Sequence, residues 1–186
     1  MPAILLAPPA SEPLSLAEAK SFLRVEHDAD DELIAALLAA ARHAVELATR
    51  RVLVTQTWRI VLDRWPAAGR IVSPVNPLRT LEAARVLAGD GTDAALDVDA
   101  FALDTASLPG VIAFDRANLA EPGRALAGIE IDVTAGHGEA SDLPPPLVQA
   151  IRLLLAQGYE QRDRVQPDAL PQTVAALVRP FRVLAL

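Results

Sequence analysis

Apolar residues recur at helical spacing near both ends of the chain and at two-residue spacing between them. Ser15-Leu16-Ala17-Glu18 has the pattern of a capping box, in which the Ser15 hydroxyl accepts from the Glu18 amide and the carboxylate reaches back. It predicts a short helix to about Arg24. The acidic stretch Asp28-Ala29-Asp30-Asp31-Glu32 opens a longer helix, its carboxylates placed to satisfy free amides and the positive dipole end. Ile34, Leu37, Leu38, Ala41, Val45 and Ala48 line one face of it, and Arg50 and Arg51 sit at its negative end.

From Thr55 the period changes to two. Trp58, Ile60 and Leu62 alternate with Thr57, Arg59 and Asp63, the mark of a half-buried strand. Arg70 to Ser73 and Val111 to Phe114 are further strands, and Ile129, Ile131 and Val133 alternate most cleanly, against Glu130, Asp132 and Thr134. Leu81 to Ala88 is ambiguous. Its Leu-Glu-Ala-Ala-Arg composition favours a helix, but Gly89-Asp90-Gly91 and the segment from Ala94 to Thr105 suggest a hairpin, and a strand is expected.

Asp142-Leu143-Pro144-Pro145-Pro146 closes the strand region, because prolines cannot continue a ladder while Pro146 suits a first helical turn. A helix follows to about Gln161, with Leu147, Ile151, Leu154 and Leu155 on one face. A polar link leads to a last short helix, Gln172 to Arg179, ended by Pro180. The expected fold is α+β: a helical bundle formed by the N- and C-terminal helices with an inserted antiparallel β domain. The expected parts are an N-terminal helical part, 1–53, an inserted β domain, 54–141, and C-terminal helices with a tail, 142–186.

Composition narrows the function. The chain has 186 residues, 52% hydrophobic and 22% charged, as in a globular protein able to bury a core. Aromatics make up only 4%, so that core is built from Leu, Val, Ile and Ala. The net charge of −7 opposes a dedicated DNA-binding surface, which needs clustered cations. There is no cysteine, which excludes disulfides, thiolate metal sites and cysteine nucleophiles. No apolar run reaches the ~18 residues of a membrane span, and the proline-interrupted N-terminus reads poorly as a signal peptide. The bias to sixteen arginines against the single Lys20 reflects coding composition more than function.

Candidate chemistry is thin. His27 among Asp28, Asp30 and Asp31 imitates a cation site, but successive positions at a helix start splay around its axis. Asp90-Gly91-Thr92-Asp93 resembles a piece of a calcium loop without its alternating ligands, so a hairpin turn is the simpler reading. His137 between Gly136 and Gly138, near Glu139, makes neither a triad nor a zinc triplet. No nucleophile elbow, phosphate-cradling loop or dinucleotide fingerprint is present. No catalytic residue, metal site or cofactor is expected. The chain end is different: Phe181-Arg182-Val183-Leu184-Ala185-Leu186 is apolar at five of six positions, where termini are usually polar and frayed. Either this tail tucks into its own core or it docks on a neighbour. Ile4-Leu5-Leu6 between prolines poses the same question.

Taken in order, these residues resemble the head–tail connector, or adaptor, proteins of long-tailed double-stranded DNA phages and gene transfer agents. The series runs from Leu14-Ser15-Leu16-Ala17-Glu18-Ala19-Lys20 through Leu23-Arg24-Val25 and Leu33-Ile34 to Val54-Thr55-Gln56-Thr57-Trp58. It continues with Thr134-Ala135-Gly136-His137-Gly138, Asp142-Leu143-Pro144, Pro146-Leu147 and Gly158-Tyr159-Glu160. The sequence departs from that pattern at His137, where an aromatic is common, and in the helix-like Leu81–Ala88. The resemblance implies a ring of copies of this chain, typically twelve, in the neck of a particle assembled in a bacterial cytoplasm. The implied partners are the portal protein and a head-closure, stopper or tail protein, with double-stranded DNA passing through unread and no membrane involved. Phe181, Arg182, Val183, Leu184 and Leu186 then become a candidate portal-docking tail. The alternative reading is a soluble adaptor or regulatory protein-binding module outside any particle.

Overall fold

The computed structural model describes residues 1–161 and 170–183. The polar link expected between the last two helices, and Leu184 and Leu186 of the tail, lie outside the described residues. The chain combines helices with antiparallel sheets, and its described residues divide into two compact units, one of residues 1–9 and 55–136, the other of residues 10–54, 137–161 and 170–183.

In the helical unit, α1 spans Leu16–Leu23, α2 Asp31–Thr49, α3 Pro145–Glu160 and α4 Gln172–Val178. The capping box of α1 is formed: the Glu18 amide donates to Ser15 Oγ at 3.2 Å and the Ser15 amide donates to Glu18 Oε2 at 2.8 Å. Ile34, Leu38, Ala41 and Val45 of α2 meet Leu147, Ile151, Leu154 and Leu155 of α3 in one buried cluster, with Ala19, Val174 and Val178 from α1 and α4. Full burial of a Leu or Ile side chain contributes about 1.5–3 kcal/mol, so this stripe holds the helices together. Ala41 and Ala150 let α2 and α3 approach closely.

The acidic start of α2 works differently from its expected capping role. Asp30 occupies the N-cap but makes no side-chain cap; its carboxylate accepts from the Tyr159 hydroxyl at 2.6 Å. Asp28 and Asp31 each accept from the Lys20 ammonium at 2.6 Å. The only lysine thus bridges α1 to α2, and Tyr159 brings the last turn of α3 to the first turn of α2, making the two antiparallel. A long-range partner outcompetes the local amide because each contact joins an ion or phenol to a carboxylate.

The other unit holds a five-stranded sheet and a three-stranded one, antiparallel throughout. Their strands are β1 (Ala3–Ala7), β2 (Gln56–Leu62), β3 (Arg70–Val72), β4 (Leu78–Leu87), β5 (Asp93–Leu96), β6 (Phe101–Asp104), β7 (Val111–Phe114) and β8 (Ile129–Ala135). The orders are β1-β2-β8-β4-β5 and β3-β7-β6. β8 lies at the centre of the large sheet and alternates as expected, with Ile129, Ile131, Val133 and Ala135 fully buried. On its other face Arg59 sits opposite Asp132 and Arg85 opposite Glu130, so three strands are stitched by ion pairs of alternating sign. Arg59 grips Asp132 through two bonds, of 2.7 and 2.9 Å. Trp65, Phe101 and Phe114 make an aromatic cluster with centroids 5.0–6.1 Å apart, and Trp65 Nε1 donates to the Ala120 carbonyl at 2.9 Å.

One difference from the sequence reading stands out. The chain begins with a strand, so residues 1–9 belong with the sheet and not with the N-terminal helices: Pro2, Pro8 and Pro9 forbid a helix, and β2 offers an edge. The helix-like Leu81–Leu87 is the expected strand: it lies in β4, where pairing with β8 overrides local propensity and puts Ala84 and Val86 on the buried face. The turn after it is the expected hairpin, with Asp90 Oδ1 accepting from the Thr92 amide at 3.0 Å and Gly91 at φ 87°.

Ile131→Ala, at the middle of β8, is expected to cost about 2–5 kcal/mol. Both tryptophans lie in this unit, so a lowered urea midpoint in fluorescence checks it. Gly110→Ala should also destabilise the unit, by about 1–3 kcal/mol, because its Cβ would meet Leu78 Cβ at 2.7 Å.

Candidate functional site

The last carbonyls of a helix have no partner within it. At the end of α2 the chain's own turn and one distant segment supply partners. Arg50 turns the chain into the left-handed region at φ 55° and its amide returns to the Glu46 carbonyl. The Thr49 hydroxyl donates to the Val45 carbonyl at 2.8 Å, while the Thr49 carbonyl accepts from the Val183 amide at 2.9 Å. Arg51 Nε donates to the Phe181 carbonyl at 2.5 Å, and its guanidinium lies 5.9 Å from the centre of the Phe181 ring. The Leu53 amide donates to Glu46 Oε1 at 3.0 Å and the Leu53 carbonyl accepts from the His137 amide at 2.8 Å.

The five tail residues expected from sequence therefore divide. Phe181 closes a 3-10 turn, Arg179–Phe181, half-buried against the helical core. Val183 is half-buried and bonded to α2, while Arg182 between them is exposed. The start of the tail is thus tied to its own chain. Pro180 does not stop the chain's helical course outright; it sits in the 3-10 turn, where its missing amide costs nothing. Sequence reasoning missed the part played by Arg51, since nothing local ties it to a residue 130 positions away.

His137 sits at the same junction. Gly136 and Gly138, at φ 135° and 133°, carry the chain sharply past it. Burial pushes its imidazole below the ordinary value of 6.5, and the positive charge of Arg51 acts in the same direction. Its electrostatic neighbour is a cation, and Glu139 instead opens the 3-10 turn Ala140–Asp142, its amide donating to Asp142 Oδ2 at 2.9 Å. Among the described residues, no group of three or more His, Cys, Asp or Glu side chains could hold a metal ion, and no helix is long and apolar enough to cross a membrane.

A family model described as phage gp6-like head-tail connector protein matches residues 13–82, from before α1 into β4. The chain is similar in sequence and fold to head–tail connectors. The structural likeness extends over its full length: a chain from the neck of an empty gene transfer agent particle, computed with C6 symmetry, gives a TM-score of 0.84 at 28% identity, covering 100% of this chain and 97% of that one. A chain from the virion of a native gene transfer agent particle gives 0.82 at 29% identity, with the same coverage. One from a native neck computed with C12 symmetry gives 0.70 at 28%, covering 98% and 97%. No curated protein matches the chain in sequence. The connector family and the neck chains agree with the likeness drawn from Leu14 to Tyr159, and they favour a structural protein.

Arg51→Ala should loosen the tail without unfolding the helices: amide exchange at Val183 is expected to accelerate while exchange at Ile34 and Ile151 stays slow. His137 predicts a pH effect. Well above pH 6.5 it is neutral whether folded or unfolded, so its contribution is fully present there; as pH falls from about 6.5 towards and through the lower folded value, the unfolded chain takes up the proton more readily and stability is lost. His137→Gln should flatten the decline in thermal midpoint between pH 6.5 and 5, and an unchanged slope would contradict this.

Proposed function

We propose that this chain is a structural subunit of a particle neck, forming a ring between portal and tail around a channel for DNA. The full-length likeness to neck chains at 28–29% identity carries the reading. The neck structures computed with sixfold and twelvefold symmetry support a ring, with twelve copies as the expected number. Such a ring needs unlike faces that meet after a fixed rotation. In this reading the bundle of N- and C-terminal helices forms the wall, and the inserted β part meets a neighbour or the tail. The chain works by assembly and not by catalysis. Its net charge of −7 suits a channel through which DNA slides without being gripped.

The tail, Phe181, Arg182, Val183, Leu184 and Leu186, is the proposed portal contact. Its anchorage on Arg51 and Thr49 would aim the following residues outward from a fixed point, lowering the ordering cost of docking. Co-sedimentation of the purified chain with portal rings tests the whole reading. The full chain is expected to sediment with them, and the chain lacking 181–186 to stay in the supernatant. Binding unchanged by the deletion would sink the tail's role. No binding by the full chain would favour a soluble adaptor instead.

A further inference from the structure

The large sheet has two edges, β1 and β5, and neither is paired on its outer side among the described residues. Edge strands normally carry a charge, a proline or a bulge that blocks further pairing. β1 carries no charge and no internal proline. It reads Ala3-Ile4-Leu5-Leu6-Ala7, with Ile4, Leu5 and Leu6 exposed by 51%, 43% and 43%. Its one irregularity lies between Leu5 and Ala7 and leaves Ala3, Ile4 and Leu5 in regular register with β2. Five apolar residues on an open edge are costly to leave in water and form a template for another strand.

β5 is a matching counterpart. It has four residues to the five of β1; its one charge, Asp93, stands at its start, and Ala94 and Ala95 beyond it are small and exposed, leaving that stretch of backbone accessible. Every pairing in the order β1-β2-β8-β4-β5 is antiparallel, so β1 and β5 run in the same direction. A copy placed edge to edge in the same orientation would therefore set β5 against the next β1 as a parallel pair. That contact is between unlike surfaces and repeats under rotation, whereas β1 against β1 would stop at a dimer.

We infer that β1 of one copy adds to β5 of the next, joining the sheets of neighbouring subunits. The occupant is a second copy of this chain. The inference rests on the proposed ring, because the neck chains that resemble this one over their whole length were computed with rotational symmetry. It names a subunit contact that the ring alone leaves open.

The chain has no cysteine, so engineered pairs can be read cleanly. Neighbouring strands lie about 4.8 Å apart, within reach of a short bis-maleimide cross-linker. The full-length double variant Leu5→Cys/Ala95→Cys, both concentrated alone and bound to portal rings, is expected to give a ladder of covalent dimers, trimers and higher species. Neither single variant should. Leu5→Lys should abolish the assembly while leaving the tryptophan-monitored melt in place. Dimers from Leu5→Cys alone would mean two-fold pairing and overturn the proposal. So would a double variant that stays uncross-linked in both settings, or a Leu5→Lys chain that assembles normally. Co-sedimentation with portal rings but no ladder would leave the connector reading standing and remove the edge contact. A ladder without co-sedimentation would do the reverse.

Discussion

The backbone groups at the C-terminal end of α2 cannot be satisfied within the helix, and much of the helical unit is arranged by that need. Thr49 accepts from Val183, Arg51 reaches the Phe181 carbonyl, and Leu53 joins Glu46 and His137. Val183 brings the donor that the Thr49 carbonyl lacks, and Phe181 and His137 bond to Arg51 and Leu53 just beyond the helix end. The same convergence half-buries Phe181 and depresses the basicity of His137. At the opposite end of α2, Lys20 and Tyr159 engage Asp28, Asp30 and Asp31. The helix is about 28 Å long, from its 19 residues, and is held at both ends by long-range polar contacts and in between by an apolar stripe.

The sheet unit is ordered around β8. One of its faces is wholly apolar and buried; the other carries Glu130 and Asp132 between Arg59 and Arg85. A slip of one residue would exchange these faces, burying two carboxylates and exposing three branched side chains, so register is strongly specified. The edges carry less: Asp93 is the one charge on β5, and β1 has none. β1 is apolar throughout and β5 is short and alanine-rich, which leaves the specificity of the sheet at its centre and its adhesiveness at its rim.

A scaffold of this kind is suited to assembly. In the helical unit Phe181 and Val183 are tied to the end of α2, and in the sheet unit β1 and β5 are unpaired on their outer sides among the described residues. The chemistry-bearing residues are used internally: Asp90 and Asp104 hold turns, Asp28 and Asp31 hold Lys20, and Arg59 and Arg85 hold the sheet. The likeness to gene transfer agent neck chains extends over both units, beyond the residue-82 limit of the family match.

Local patterns determined the long helices, the capping box of α1, and strands β2, β7 and β8, because periodicity reports which face of an element is buried before any partner is known. They also carried the connector likeness, through an ordered series from Leu14 to Tyr159. Tertiary structure alone decided that residues 3–7 extend the sheet and that Asp30 binds Tyr159 in place of an amide. It decided as well that the tail begins by bonding to α2. Pairing with β8 holds Leu81–Leu87 as a strand against its helix-like composition. Each of these depends on a partner far away in sequence, and pairing energy across that distance outweighs the small differences in intrinsic preference that a linear reading can detect.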